Sequence, residues 1–189
     1  FFFKQKTAYE ISTRDWSSDV CSSDLRIAAR HGTPLHPLST GRNWGYGTSM
    51  PARDGCSLLD LSGLRRIVDF DPVLGTVTVE PGVTQADLAA FLAAGNHAFL
   101  VPVTGAGPHC SLVGNALERG YGVTPYADHF SAVTDIEAVL ADGTPYRSTL
   151  RELAGPGVAR LFKWGVGPYV EGLFTQSGLA IVTQMTIAL

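Results

Sequence analysis

The chain has 189 residues, 45% of them hydrophobic and 16% charged, the balance of an ordinary globular domain rather than of a disordered or fibrous chain. Its formal net charge of -3 leaves no basic footprint for nucleic acid or an anionic membrane, and no apolar run reaches the roughly 18–20 residues that span a bilayer. Three cysteines without metal-ligand or disulfide spacing favour a reducing compartment, with the cytoplasm as default and the periplasm left open.

The first 25 residues show neither period nor caps. Phe1 to Ile11 and Asp15 to Leu25 read like the frame translation of a sequencing-library adapter, with Ser12-Thr13-Arg14 at the variable index. Residues 1–25 are therefore expected to be an unstructured artefact, and 26–189 to be the folded domain. From Arg26 to His31 the chain reads as the end of a helix, stopped by Gly32 and Pro34. Pro34 to Leu38 is extended and leads into Ser39-Thr-Gly-Arg-Asn-Trp-Gly-Tyr-Gly-Thr-Ser49. The glycines of this run free the backbone to turn N–H groups toward one oxyanion; a plain strand-to-strand turn is the alternative.

Short strands are expected at Ser57–Leu61, Ile67–Asp71 and Thr76–Glu80, the last two joined by the turn at 72–75. Thr84 is placed to cap a helix through Ala94, closed by Gly95-Asn96. The stretch from Val101 to about Phe130 is rich in glycine and lacks a period, and a loop of that length is usually functional. Strand signals return at Thr134–Leu140, with an Asp142-Gly143 turn leading to Pro145–Arg147. A helix is expected over Val158–Trp164, and Gly178–Leu189 reads as a closing strand, so a fragment of a longer protein is expected. The class is α+β with small mixed sheets. The glycine run neither opens a helix as Gly-x-Gly-x-x-Gly nor ends in Gly-Lys-Ser/Thr, which removes a Rossmann fingerprint and a nucleoside-triphosphate P-loop.

Five ordered blocks resemble the vanillyl-alcohol oxidase and p-cresol methylhydroxylase (PCMH-type) family of flavoproteins. They are Ser39 to Gly47, Val79 to Thr84, Gly114 to Gly120, Thr124 to Phe130, and Phe162 to Tyr169 with Gly172 to Ser177. The last three are similar to the branch acting on para-substituted phenols. The resemblance implies an FAD-binding domain of two α+β subdomains, with the C-terminal substrate (cap) domain missing from this chain. It further implies hydride transfer from a benzylic carbon to flavin N5 and a small-molecule substrate. The implied electron acceptor is dioxygen or an electron-transfer protein such as a cytochrome, and the full-length protein would be a homo-oligomer. The family's cofactor carries the redox step, while the protein binds and orients.

Carried onto this sequence, the resemblance places Thr40, Gly41, Arg42, Asn43, Trp44, Gly45 and Gly47 around the FAD pyrophosphate. Tyr46 falls where a hydroxyl helps hold a substrate phenolate, and is the expected catalytic residue. Pro81 and Gly82, Thr104 and Gly105, Ser111, Gly114, Asn115, Gly120, Ile181 and Val182 fall at further cofactor-contact positions. His129 beside Asp128 admits an acid–base reading or that of an anchor for backbone carbonyls, and the anchor is favoured. Lys163, the only lysine after residue 25, is read as a structural anchor or domain contact. Three departures stand out. Trp44 lies where a relative with a histidyl–flavin bond carries histidine, so any covalent link would come from the cap. Ala106, where an active-site aspartate is found, and Val123, where tyrosine is common, weaken the phenol assignment. An oxidase of a non-phenolic hydroxyl compound and a non-catalytic FAD-binding fragment are the alternatives.

Overall fold

The computed structural model describes residues 10–11, 18–42, 49–51, 53–122 and 127–189. In chain order, β1 (Glu10–Ile11) is followed by α1 (Ser18–His31), β2 (Leu35–Leu38) and β3 (Ser57–Asp60). These three strands form a parallel sheet in the order β1-β3-β2. Next come β4 (Ile67–Asp71), β5 (Thr76–Val79), α2 (Gln85–Ala94) and α3 (Leu112–Leu117). A 3-10 turn at His129–Ala132 leads into β6 (Val133–Leu140) and β7 (Pro145–Arg147), then α4 (Thr149–Ala154), α5 (Pro156–Ala159), a second 3-10 turn at Glu171–Phe174 and β8 (Ala180–Ala188). The second sheet is antiparallel throughout, in the order β4-β5-β8-β6-β7.

The α+β class holds, with two differences. Neither sheet is mixed: one is wholly parallel, the other wholly antiparallel. The expectation of no structure over 1–25 also fails, at Glu10–Ile11 and at Ser18–Leu25. There the absence of caps misled, because burial decides the helix: Cys21 and Leu25, one turn apart, are both buried against Leu59, Leu61 and Leu64. Arg26 then donates from Nη2 to the Gly143 carbonyl at 3.1 Å, tying α1 to the turn after β6.

Two apolar clusters share the antiparallel sheet. The main one joins Val77 and Val79 of β5, Leu88 and Leu92 of α2, Leu112, Val113 and Ala116 of α3, and Ile136, Met185 and Ile187 of β6 and β8. The smaller one joins Cys21, Leu25, Leu59, Leu61 and Leu64 to Val139 and Ile181. A bulge makes this sharing possible. Glu137 pairs with Gln184 but Ala138 with Val182, so Thr183 is the extra residue on β8. Beyond it the facing parity changes: Val182 joins the main cluster with Met185, and Ile181 turns to the smaller one.

The helix expected at Val158–Trp164 lies earlier, as α4 and α5. Ser148 caps α4, its hydroxyl accepting from Arg151 N at 3.2 Å and donating to Asp135 Oδ1 at 2.9 Å. Asp135, 1% exposed, also receives Arg151 Nε and Nη2 at 2.8 and 2.6 Å, which satisfies a carboxylate that burial alone would penalise. The N-cap of α2 is as expected: Thr84 and Asp87 form a reciprocal capping box.

Met185 is fully buried at the centre of the main cluster. Met185→Ala is expected to lower the unfolding free energy by about 2–5 kcal/mol, read from urea melts, with an unchanged m-value.

Candidate functional site

Four connecting segments converge. The parallel strands β2 and β3 release Ser39–Arg42 and Leu61–Leu64 at their carboxyl ends, where open parallel sheets commonly bind ligands. The end of β5 brings Glu80 to Thr84 alongside, and the 104–111 segment closes the side. Between them lies an open cleft of about 230 Å³, lined by Thr40 and Arg42, Ser62 and Arg65, Gly82 and Thr84, and His109.

Gly82 sits where two of these segments touch. Its N–H donates to the Leu64 carbonyl at 2.6 Å, and a Cβ there would lie 2.3 Å from the Ser62 carbonyl oxygen and 2.7 Å from that of Leu64. Only glycine permits this approach. Ser111 extends the knot: its hydroxyl donates to the Pro81 carbonyl at 2.5 Å and accepts from Gly114 N at 2.9 Å, capping α3. A Cβ at Gly114 would stand 2.5 Å from Ser39 Oγ, so the missing side chain lets the 39–42 loop rest on α3. Pro81, Gly82, Ser111 and Gly114 thus form one connected support behind Thr40, Gly41 and Arg42.

Thr104 is held by a residue that the sequence reading passed over. Gln85, 6% exposed, accepts from Thr104 N at 3.1 Å and donates to the Gly107 carbonyl at 3.2 Å and to Thr104 Oγ1 at 3.4 Å. Its signal was a polar residue at the first position of a helix that is apolar but for Asp87. Gly105, next along this loop, is exposed. Asn115 and Gly120 meet at the other end of α3, where Gly120 N donates to the Asn115 carbonyl at 2.8 Å. Ile181 and Val182 do not act together, because they point into different clusters, and neither lines the cleft. Asn43, Trp44, Gly45, Tyr46 and Gly47 lie outside the described residues, as does Val123.

His129 is anchored, but its ring bonds a side-chain amide rather than the backbone carbonyls expected from sequence. It is 3% exposed, and its Nδ1 is hydrogen-bonded to Asn115 Nδ2. Burial holds its pKa below the ordinary histidine value, against a weaker opposing pull from Asp128. Lys163 is likewise an anchor, its ammonium donating to the Phe130 and Ser131 carbonyls at 2.7 and 2.8 Å.

The donors of the cleft suit an oxygen-rich anion. Arg42 and His109 supply nitrogen donors, while Ser62 and Thr84 add hydroxyls at its wall. Among the described residues the buried Thr40 hydroxyl has no hydrogen-bond partner, a group that a bound oxygen would satisfy. Arg65 is already engaged, paired with Asp87 through contacts of 2.6 and 2.8 Å. That hydrogen bond is the main reason the Asp87 carboxyl is held down at about 2, against its ordinary 3.8.

Comparison with known proteins agrees with this geometry. The family described as "FAD binding domain" matches residues 17–149. The 1'-carboxy-chondrochloren decarboxylase of Chondromyces crocatus is 44% identical over 163 residues, covering 86% of this chain and 30% of that protein. The 4-cresol dehydrogenase [hydroxylating] flavoprotein subunit of Pseudomonas putida is 38% identical over 165 residues, covering 85% and 31%. A crystal structure of p-cresol methylhydroxylase with substrate bound superposes with a TM-score of 0.90 at 33% identity, covering 95% of this chain and 35% of that one. The chain spans about a third of the length of these proteins.

Gly82→Ala forces a methyl group onto two backbone carbonyls, and is expected to cost on the order of 1–3 kcal/mol in urea melts. The Asp87 shift gives a pH signature. A carboxyl whose folded pKa is depressed contributes stability above its unfolded value and loses it as the pH falls from about 4 to 2. Arg65→Ala is therefore expected to lower Tm slightly at pH 6, by no more than a few degrees for so exposed a pair, and to leave it unchanged at pH 2.

Proposed function

Since the chain belongs to the PCMH-type FAD-binding family, we propose that the protein is an FAD-dependent oxidoreductase acting on a para-substituted phenol or aryl alcohol. The observation that carries this reading is the pairing of the family match over 17–149 with a donor-lined cleft at the carboxyl ends of two parallel strands. The 38% identity to a 4-cresol dehydrogenase flavoprotein subunit supports the substrate class.

Bound FAD supplies a two-electron acceptor at flavin N5 for hydride from the substrate carbon. The chain's own residues bind and orient. Arg42 and His109, with the Thr40 and Ser62 hydroxyls, would hold the anionic diphosphate. Gln85 fixes Thr104 and the backbone up to Gly107, and Ser111 fixes Pro81 and the start of α3. Asn43, Trp44, Gly45 and Gly47 continue the diphosphate loop. Tyr46 holds the substrate oxygen, favouring the phenolate form that eases hydride loss from the benzylic carbon. The acceptor that would reoxidise the cofactor is dioxygen or an electron carrier such as a cytochrome.

A second reading is oxidation with loss of a carboxyl group, favoured by the 44% identity to a protein named as a decarboxylase.

The test is spectroscopic. The full-length protein is expected to take up FAD and absorb at about 450 nm, and to bleach anaerobically with 4-alkylphenols or aryl alcohols. Bleaching only by a 4-hydroxyphenyl carboxylic acid, with release of carbon dioxide, selects the second reading. A colourless protein that takes up no added FAD refutes both. Arg42→Ala is expected to weaken FAD binding by on the order of tenfold, the loss of one charge-assisted contact.

A further inference from the structure

We propose that Gln85 is a positioning residue of the cofactor site: its side-chain amide splints the 104–107 turn onto the first turn of α2, and the affinity for FAD depends on that splint. The inference rests on the FAD reading above. Gln85 stands one residue beyond the Val79–Thr84 block and outside every other block that carries the family resemblance.

The later part of the loop is held to α2 by backbone alone. Gln85 N donates to the Cys110 carbonyl at 3.0 Å, Ala86 N to the Pro108 carbonyl at 2.9 Å, and Leu112 N to the Val83 carbonyl at 3.1 Å. These bonds need no particular side chain at position 85 and survive its substitution. The turn before them is fastened differently. Thr104 Oγ1 accepts from Ala106 N at 3.2 Å, and the Gly107 carbonyl accepts from Cys110 N at 3.0 Å. Neither bond leaves the 104–110 loop. The Gln85 side chain makes the link to α2, spanning Thr104 N at 3.1 Å and the Gly107 carbonyl at 3.2 Å. One planar group thus sets the distance between the two ends of the turn. That turn carries Thr104 and Gly105, both assigned to the cofactor, and leads through Pro108 to His109 on the cleft wall.

Both partners are backbone groups, and they fix which way round the amide lies. The Thr104 N–H only donates and the Gly107 carbonyl only accepts, so Oε1 faces the first and Nε2 the second. The splint therefore needs an acceptor and a donor on one fork. Methionine has the length and neither group. Glutamate has the shape, but its carboxylate sets an acceptor against the Gly107 carbonyl; protonated, it regains the missing donor. A glutamate at position 85 is thereby an acid-operated copy of the natural amide. Burial and the facing carbonyl raise such a carboxyl above its ordinary value of about 4.3. Around it, Asp87 on the same turn of α2 is taken up by Arg65 and Thr84 and held down at about 2, while burial pushes the Cys110 thiol up. Neither group changes charge between pH 5.0 and 7.5.

The measurement is the FAD dissociation constant of the full-length protein at pH 7.5 and 5.0, followed by flavin fluorescence, for wild type, Gln85→Met, Gln85→Glu and Met185→Ala. Each variant is read as a ratio to wild type at the same pH, which removes what His109 contributes to all of them. Gln85→Met is expected to bind about tenfold more weakly at both pH values, the effect of the Thr104 N–H left without its acceptor. Gln85→Glu is expected to be at least about tenfold weaker at pH 7.5 and to come within about threefold of wild type at pH 5.0, overtaking Gln85→Met. Met185→Ala loosens the main core and leaves the splint in place, so it is expected to stay within about threefold of wild type. Wild-type affinity in Gln85→Met overturns the inference, and so does a Gln85→Glu protein that at pH 5.0 binds no better than Gln85→Met. An equal loss in Met185→Ala also overturns it, because the effect would then follow stability. Should Gln85→Met not fold, a Gln85→Glu ratio that fails to rise on acidification overturns the inference by itself. A wild-type protein that binds no FAD at pH 7.5 overturns the cofactor reading instead, which separates the two failures.

Discussion

The close approach at Gly82 is the contact on which the arrangement depends. A 2.6 Å hydrogen bond to the Leu64 carbonyl joins the loop leaving the parallel sheet to the loop leaving the antiparallel one. Were the backbones held apart by a side chain, Pro81 would withdraw from Ser111, the cap of α3 would be lost, and Gly114 would no longer lie against Ser39. The cleft is the space that this one contact leaves between two sheets. Its walls come from four segments far apart in sequence, yet they are linked by a short chain of bonds through backbone carbonyls and small hydroxyls.

The chemistry of the walls follows from the same economy. Groups behind the cleft satisfy one another: Gln85 with the 104–107 backbone, Asp87 with Arg65 and Thr84, Glu80 with Arg66. What remains open toward the cleft is a small set of donors, among them a Thr40 hydroxyl that no described residue bonds. A site whose supports are saturated and whose face is not is ready for an anion, because binding adds bonds without breaking any.

Local signals in the sequence translated well. Thr84 as an N-cap, the Asp142-Gly143 turn and the alternating strands all depend on neighbours within a few residues, and the structure has them at or within a residue of the expected places. Contacts over long separations were not legible. Nothing near Cys21 and Leu25 announces that Leu59 will cover them, so a helix was read as an unstructured tail. Gln85 looked like an unremarkable first-turn residue because its partners lie about twenty positions away. The cofactor motifs stood out for the opposite reason: they are runs of glycine and small residues that local backbone geometry requires. Ile181 and Val182, as neighbours on one strand, point to opposite faces, and which cluster each one joins depends on a bulge at Thr183, a polar residue that breaks no visible pattern.

That bulge has a consequence for how the molecule assembles. Were Thr183 paired in regular register with Ala138 rather than bulged, Ile181 would turn toward the main cluster, and the smaller cluster would lose one of the two antiparallel-sheet side chains, Ile181 and Val139, on which it closes. The surface that receives α1 and the parallel strands exists only once β6 and β8 have paired in the shifted register. The dependence is geometric: α1 and the parallel strands close on side chains that only the shifted pairing turns toward them. A slip of one residue in that pairing would not be a local error, since it would exchange the side chains owed to two different cores.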